Sequence, residues 1–204
     1  MASSRWFFHS TFRSIGLSSY QRELFHSTSS LKMPRNVEIK AKIEDLDSML
    51  ASGRRLCSGA EPQVIRQHDT FFVSKTGRLK LREFPGDEEK RAELIYYDRP
   101  DESGPKLSDY IKTETADPQG LKSLLSVTNG MKGEVKKVRY LFLYGQTRIH
   151  IDNVEGLGSY MELEVCLKDD ETLDYGVQLA NEIREKLNVP EENLVTGAYF
   201  DALS

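Results

Sequence analysis

The chain has 204 residues and a mass of 23.3 kDa, enough for one domain with a single core and an extension. Charged residues make up 29% against 38% hydrophobic, so much of the charge must sit on the surface or in a charged interior. The net charge of −4 lacks the basic footprint of a nucleic-acid binder, and no apolar run is long enough to span a bilayer, so neither partner is expected.

Residues 1–33 differ from the rest in composition. Arg5, Arg13, Arg22 and Lys32 stand against one acid, Glu23, among dense serines and the apolar Trp6, Phe7, Phe8 and Phe12. Arg-rich, Ser-rich and acid-poor is the composition of a mitochondrial transit peptide. The alternatives are a disordered leader or translation from Met33, which would leave the protein cytoplasmic. The folded domain is assigned to 34–204, a size compatible with a homodimer. Cys57 and Cys166 stand in different elements, outside any metal-type spacing. They are expected as small buried hydrophobes and not as a disulfide.

From residue 37 onward, period-two alternation predicts strands with two different faces. In 37–43, Val37, Ile39, Ala41 and Ile43 oppose Glu38, Lys40 and Lys42. A helix follows around Leu46, Met49 and Leu50, then strands over 67–72 and 77–82, where Leu79 and Leu81 oppose Arg78, Lys80 and Arg82. Further strands are expected over 93–99 and 106–115. Asp117 before Pro118 opens a second helix, with Leu121, Leu124 and Leu125 on one face and Gly130 as its stop. Strands over 135–144, 147–152 and 160–167 complete eight. A third helix carries Leu173, Val177, Ala180, Ile183 and Leu187 and ends before Pro190, and 195–203 is apolar enough to pack as a lid or plug.

Eight strands joined mostly by short turns, with helices to cover their apolar faces, predict an α+β fold: an antiparallel meander closed into a β-barrel with the helices packed outside. The opposite faces carry Glu38, Lys42, Lys80, Arg82, Lys137, Arg139, Arg148, Asp152, Glu162 and Glu164. Each alone reads as a solvated outer face. Together they suit a lumen, because an eight-stranded barrel holds such side chains around one small ligand. Buried charges need partners of opposite sign, and a polyphosphate with Mg²⁺ or Mn²⁺ supplies both an anion and a cation. The phosphate-loop pattern of ordinary nucleotidases is absent from the sequence.

The stretch Glu38-Ile39-Lys40-Ala41-Lys42 resembles the ExExK signature of the CYTH superfamily, the triphosphate tunnel metalloenzymes. The matching stretches follow in order: QHDTFF at 67–72, GRLKLR at 77–82, LIYYDRP at 94–100, VKKVR at 135–139, RIHID at 148–152 and GLGSYMELE at 156–164. The flavour is nearest the class IV adenylyl cyclase-like branch. The resemblance implies an eight-stranded tunnel, a small-molecule triphosphate as substrate and Mg²⁺ or Mn²⁺ as cofactor. It implies Glu38, Asp152, Glu162 and Glu164 as metal ligands. It places Lys42, Lys80, Arg82, Lys137 and Arg139 on phosphate oxygens, with Arg99 and Arg148 as further candidates and Lys42 and Arg139 as catalytic. Hard cations take oxygen ligands, while Arg offers phosphate a planar fork and Lys a point charge.

This chain departs from the signature at Lys40, where the second Glu is replaced by a cation on the same face. That removes one ligand, and Lys40 joins the substrate-binding candidates. Three functions follow as expectations: a metal-dependent hydrolase of inorganic tripolyphosphate, thiamine triphosphate or a nucleotide; a class IV-type adenylyl cyclase; or a non-catalytic polyphosphate-binding module. His150 shares a face with Asp152 and is a further lumen candidate, His68 is expected to make a structural contact, and Asp69 to orient a basic neighbour.

Overall fold

A computed structural model describes residues 35–98 and 104–202. The 1–33 leader and Arg99 lie outside the described residues. Among the described residues there are eight strands: β1 (Arg35–Lys42), β2 (Gln63–Phe72), β3 (Arg78–Glu83), β4 (Ala92–Asp98), β5 (Lys106–Thr115), β6 (Met131–Tyr144), β7 (Thr147–Val154) and β8 (Gly158–Cys166). The helices are α1 (Leu46–Leu56), α2 (Pro118–Thr128) and α3 (Leu173–Lys186). Every ladder is antiparallel, and the strands close in the order β1-β5-β4-β3-β2-β6-β7-β8. A further extended contact, the bridge between Ala41 and Leu194, adds the C-terminal segment to the rim of β1.

The barrel is not the single meander expected. Two meanders, β2–β5 and β6–β8, pair along β2 and β6, and β1 closes the ring between β5 and β8. The reason is the β1–β2 connection: it contains α1, so the chain leaves β1 and returns on the far side of the ring.

Local chemistry sets the helix starts. The Asp45 carboxylate accepts from the N–H groups of Asp47 and Ser48, Asp117 caps Gly120 with Pro118 at the first turn, and the Thr172 hydroxyl accepts from Tyr175. The main apolar core lies outside the barrel. Val37, Ile39, Ile149, Ile151, Leu163 and Val165 turn outward against α1 and α3, which contribute Leu50, Ala180 and Ile183. A second cluster, Phe72, Leu81 and Ala92, is covered by Leu121 and Leu125 of α2. With the apolar faces used outside, the alternate residues of each strand have to point inward. Cys57 and Cys166 are free thiols, but only partly buried.

Candidate functional site

The inward residues line a cavity of about 300 Å³. Its wall is built by register. Across β1 and β8, Glu38 faces Glu164 and Lys40 faces Glu162; across β7 and β8, Arg148 faces Glu164 and His150 faces Glu162. Across β6 and β7, Arg139 faces Asp152, and across β2 and β3, Asp69 faces Arg82. Opposite charges directly across a ladder are favourable pairs, whereas Glu38 and Glu164 set two carboxylates against each other.

Two carboxylates are each gripped by two cations. Asp152, fully buried, accepts from Arg139 Nε and Nη2 at 2.7 Å, from Lys137 Nζ at 2.8 Å and from the Tyr199 hydroxyl at 3.0 Å. Asp69 accepts from Arg82 Nε and Nη2 at 2.7 Å and from Lys80 Nζ at 2.9 Å. Burial alone would raise both carboxyls; at Asp69 Arg82 and Lys80 outweigh it, and at Asp152 Arg139 and Lys137 do, so both lie well below the usual carboxylate range. Burial and Arg82 lower the Lys80 ammonium to about 7, against the pull of Asp69.

The third cluster is acidic with one imidazole. His150, Glu162 and Glu164 each place a ligand atom within 4.8 Å of the others. Nδ1 of His150 lies 3.6 Å from Glu164 Oε1 and 3.9 Å from Glu162 Oε2, without a hydrogen-bond partner although buried. Burial and Arg139 lower its pKa and favour the neutral ring, the form that ligates metals. Glu162 also accepts from Arg139 at 2.7 Å and stands 3.9 Å from Lys40 Nζ. Buried polar atoms without a partner call for a missing one. Besides His150 Nδ1, the amide oxygens of Asn36 and Gln67 lack one in the same cavity. An imidazole with two carboxylates fits a divalent cation beside them.

The structure brings most of the expected residues to one cavity: Glu38, Lys40, Lys80, Arg82, Lys137, Arg139, Arg148, Glu162 and Glu164 all line it. Lys42 and Asp152 stand apart from this lining. Lys42 keeps its alternation but lies exposed at the last residue of β1, beyond the end of the β1–β5 ladder, and does not line the cavity. Asp152 is buried and accepts from Arg139, Lys137 and Tyr199, and His150 stands with Glu162 and Glu164 in the acidic cluster. The partial metal set also leaves out Glu38, which faces Lys106 across β5.

Other residues also line the lumen, among them Tyr110, whose ring the sequence offers for stacking on a base or thiamine ring or for the core. On β5, Lys106 is buried opposite Glu38, and Ser108, Tyr110 and Lys112 line the cavity; their alternation was there to be seen in 106–112. Glu93 binds Lys112 at 2.8 Å. Tyr199 belongs to the apolar 195–203 segment expected as a lid or plug, but nothing local singles it out as a lumen residue, because the segment is irregular. His68 lies 3.3 Å from Glu134, a structural contact as expected.

The match to known proteins follows this geometry. The CYTH domain family model matches residues 34–199. The chain belongs to the CYTH family. The "Putative adenylate cyclase MJ0240" of Methanocaldococcus jannaschii is 24% identical over 179 residues, covering 81% of this chain and 96% of that one. Among solved structures, the PH1012 protein of Pyrococcus horikoshii is similar with a TM-score of 0.70 at 19% identity, covering 81% of this chain and 98% of its own. The "putative adenylyl cyclase HpAC1" of Hippeastrum, said to reveal a dominant triphosphatase activity, has a TM-score of 0.59 at 14% identity, covering 83% of this chain and 94% of its own. These structural likenesses show a shared fold. No helix among the described residues is long and apolar enough to cross a membrane.

Proposed function

We propose that this CYTH protein is a divalent-metal-dependent hydrolase of triphosphate-containing substrates, of the kind represented by inorganic tripolyphosphate, thiamine triphosphate or a nucleotide. The observation that carries the reading is the stoichiometry of the lumen. Two cations stand on Asp69, two on Asp152, and the His150, Glu162 and Glu164 cluster faces the same space. Cations in excess of their carboxylates suit phosphate oxygens, and an acidic cluster beside them suits the ion that such oxygens bring with them.

Hydrolysis joins a water oxygen to phosphorus and breaks the bridging P–O bond, and the charge left on the departing phosphate has to be neutralised. Arg82 and Arg139 are oriented for this by the carboxylates that hold their guanidiniums, and Lys80 and Lys137 add point charges beside them. A bound divalent ion supplies further charge neutralisation and acidifies a water. His150, Glu162 and Glu164 would hold it. The imidazole favours Mn²⁺ over Mg²⁺, whose preference is for oxygen alone.

Lys40 favours a second reading, a non-catalytic binder. Its ammonium stands beside Glu162 and donates to the Gly197 carbonyl at 3.2 Å, putting a cation where the family signature has a carboxylate. The cyclase reading rests on the resemblance to the class IV branch and on the names of relatives, and the Hippeastrum protein's description pairs such a name with a dominant triphosphatase activity. Product analysis of the purified protein with Mn²⁺ or Mg²⁺ decides among the three. Orthophosphate from tripolyphosphate, thiamine triphosphate or ATP, lost in Glu162→Gln, supports the hydrolase. Cyclic AMP from ATP would replace it with the cyclase. Tight tripolyphosphate binding without turnover of any of the three would leave the binder.

A further inference from the structure

The segment after α3 crosses the barrel from one side to the other. It is fixed to β1 by the Leu194–Ala41 bridge, by the Val195 N–H donating to the Lys40 carbonyl at 2.9 Å, and by Lys40 Nζ on the Gly197 carbonyl. On the far side, Phe200 stacks on Phe71 of β2 at 5.4 Å between ring centroids, and Arg78 of β3 binds Asp201 at 2.8 Å. In the ring, β1 and β2 are separated by β5, β4 and β3 one way and by β8, β7 and β6 the other. A segment touching both therefore spans the mouth. Midway, the buried Tyr199 ring packs edge-on to Tyr160 and under the ammonium groups of Lys40 at 4.2 Å and Lys137 at 4.9 Å, with its hydroxyl on Asp152. Gly133 of β6 makes the room: a Cβ there would meet the Phe200 ring at 2.5 Å.

The other mouth is different. It lies at the starts of β1 and β2 and the ends of β3 and β6, where Ile65, Phe84 and Leu141 line the cavity beside Lys90, Lys112 and Arg148.

We infer that this tunnel is a dead end with Tyr199 as its floor. It takes a phosphate chain end-on through the Phe84 mouth, with the terminal phosphate against Lys40, Lys137 and Arg139 and any organic group left at the apolar mouth. The substrate class is then a short or end-inserted polyphosphate; internal segments of a long chain cannot thread through. This rests on the polyphosphate reading above. Tyr199 is a specificity-determining residue and Lys40 anchors the segment that carries it.

The test uses the full chain with Mn²⁺ and three probes: tripolyphosphate, a long linear polyphosphate, and the same polymer with both terminal phosphates blocked as phosphoramidates. The dead end requires the first two to bind and the blocked polymer to bind at least about tenfold more weakly, a difference of about 1.4 kcal/mol. Opening the floor should restore the blocked polymer toward the unblocked affinity. Tyr199→Ala does this directly, and Gly133→Leu does it by expelling Phe200 without touching a cavity-lining residue, so one variant suffices if the other fails to fold. Equal binding of blocked and unblocked polymer by the unmodified protein overturns the dead end while leaving the polyphosphate reading standing. Binding of none of the three overturns both.

Discussion

Arg139 joins two carboxylates, donating to Asp152 through two nitrogens and to Glu162 through one. Removing one partner of a buried ion pair leaves the other charged and desolvated, which costs about 3–5 kcal/mol. Arg139→Gln is therefore expected to lower the melting temperature by about 10 °C for a domain of this size, read by differential scanning calorimetry, and to abolish tripolyphosphate binding as well. Lys80 gives a pH signature. Its ammonium is lowered to about 7 from an ordinary 10.5, so in the free protein it loses its proton as pH rises through neutrality. A bound polyanion raises that value, so binding should take up a proton above pH 7, and affinity should fall by up to about tenfold per pH unit there. Unliganded stability should move the other way, rising from pH 7 towards 10.5, because the unfolded chain holds the Lys80 proton longer. Calorimetric titrations in buffers of different ionisation enthalpy report the uptake, and Lys80→Met should remove it. At this scale the sequence revealed residue types but not occupancy. Asp152 reads as a metal ligand by its place in RIHID, yet three donors already fill it, and nothing local indicates that one of them comes from Tyr199.

Among the elements, the strands were the most legible because alternation is a local property: the inward and outward faces of β1, β3, β6, β7 and β8 follow directly from which residues are apolar. The helices were legible from their apolar spacing, and α2 also from its start at Asp117 before Pro118. The order of strands was not, since β1 pairs with β5 and β8 through contacts that sequence separation conceals. Lys42 shows the cost of reading alternation without the ladder: its parity is right, but it is the last residue of β1 and stands exposed at the strand's end. Helix packing is also a tertiary matter. Gly176 in α3 sits where a Cβ would meet Val37 Cγ2 at 2.6 Å and a Leu167 methyl at 2.7 Å. Helix propensity favours Ala over Gly by about 1 kcal/mol, but forcing atoms into a packed contact costs about 1–3 kcal/mol. Gly176→Ala is therefore expected to be destabilising on balance, with a lower urea midpoint and an unchanged slope.

For the whole molecule, the lumen ties stability to acid. Against the effect of burial, Asp69, Asp152, Glu162 and Glu164 are all held below their ordinary values by neighbouring cations and His150. Depressed carboxyls contribute stability that is complete above their unfolded values near 3.8 and 4.5 and is lost as pH falls through their folded ones. The melting temperature should hold down to about pH 5 and then fall steadily, and tripolyphosphate, by binding only the folded state, should raise the whole curve. A profile flat to pH 2 would show that these carboxyls are not ionised in the lumen. The sequence by itself determined that the domain is a barrel with an apolar outside and a charged inside, because face alternation and the ordered CYTH stretches are written along the chain. Only the tertiary structure decided which charges neutralise one another, that His150 joins Glu162 and Glu164, and that Tyr199 floors the cavity. Those facts depend on ladder register and on a segment that returns across the ring, and a buried charge acquires its meaning only from the partner that folding brings to it.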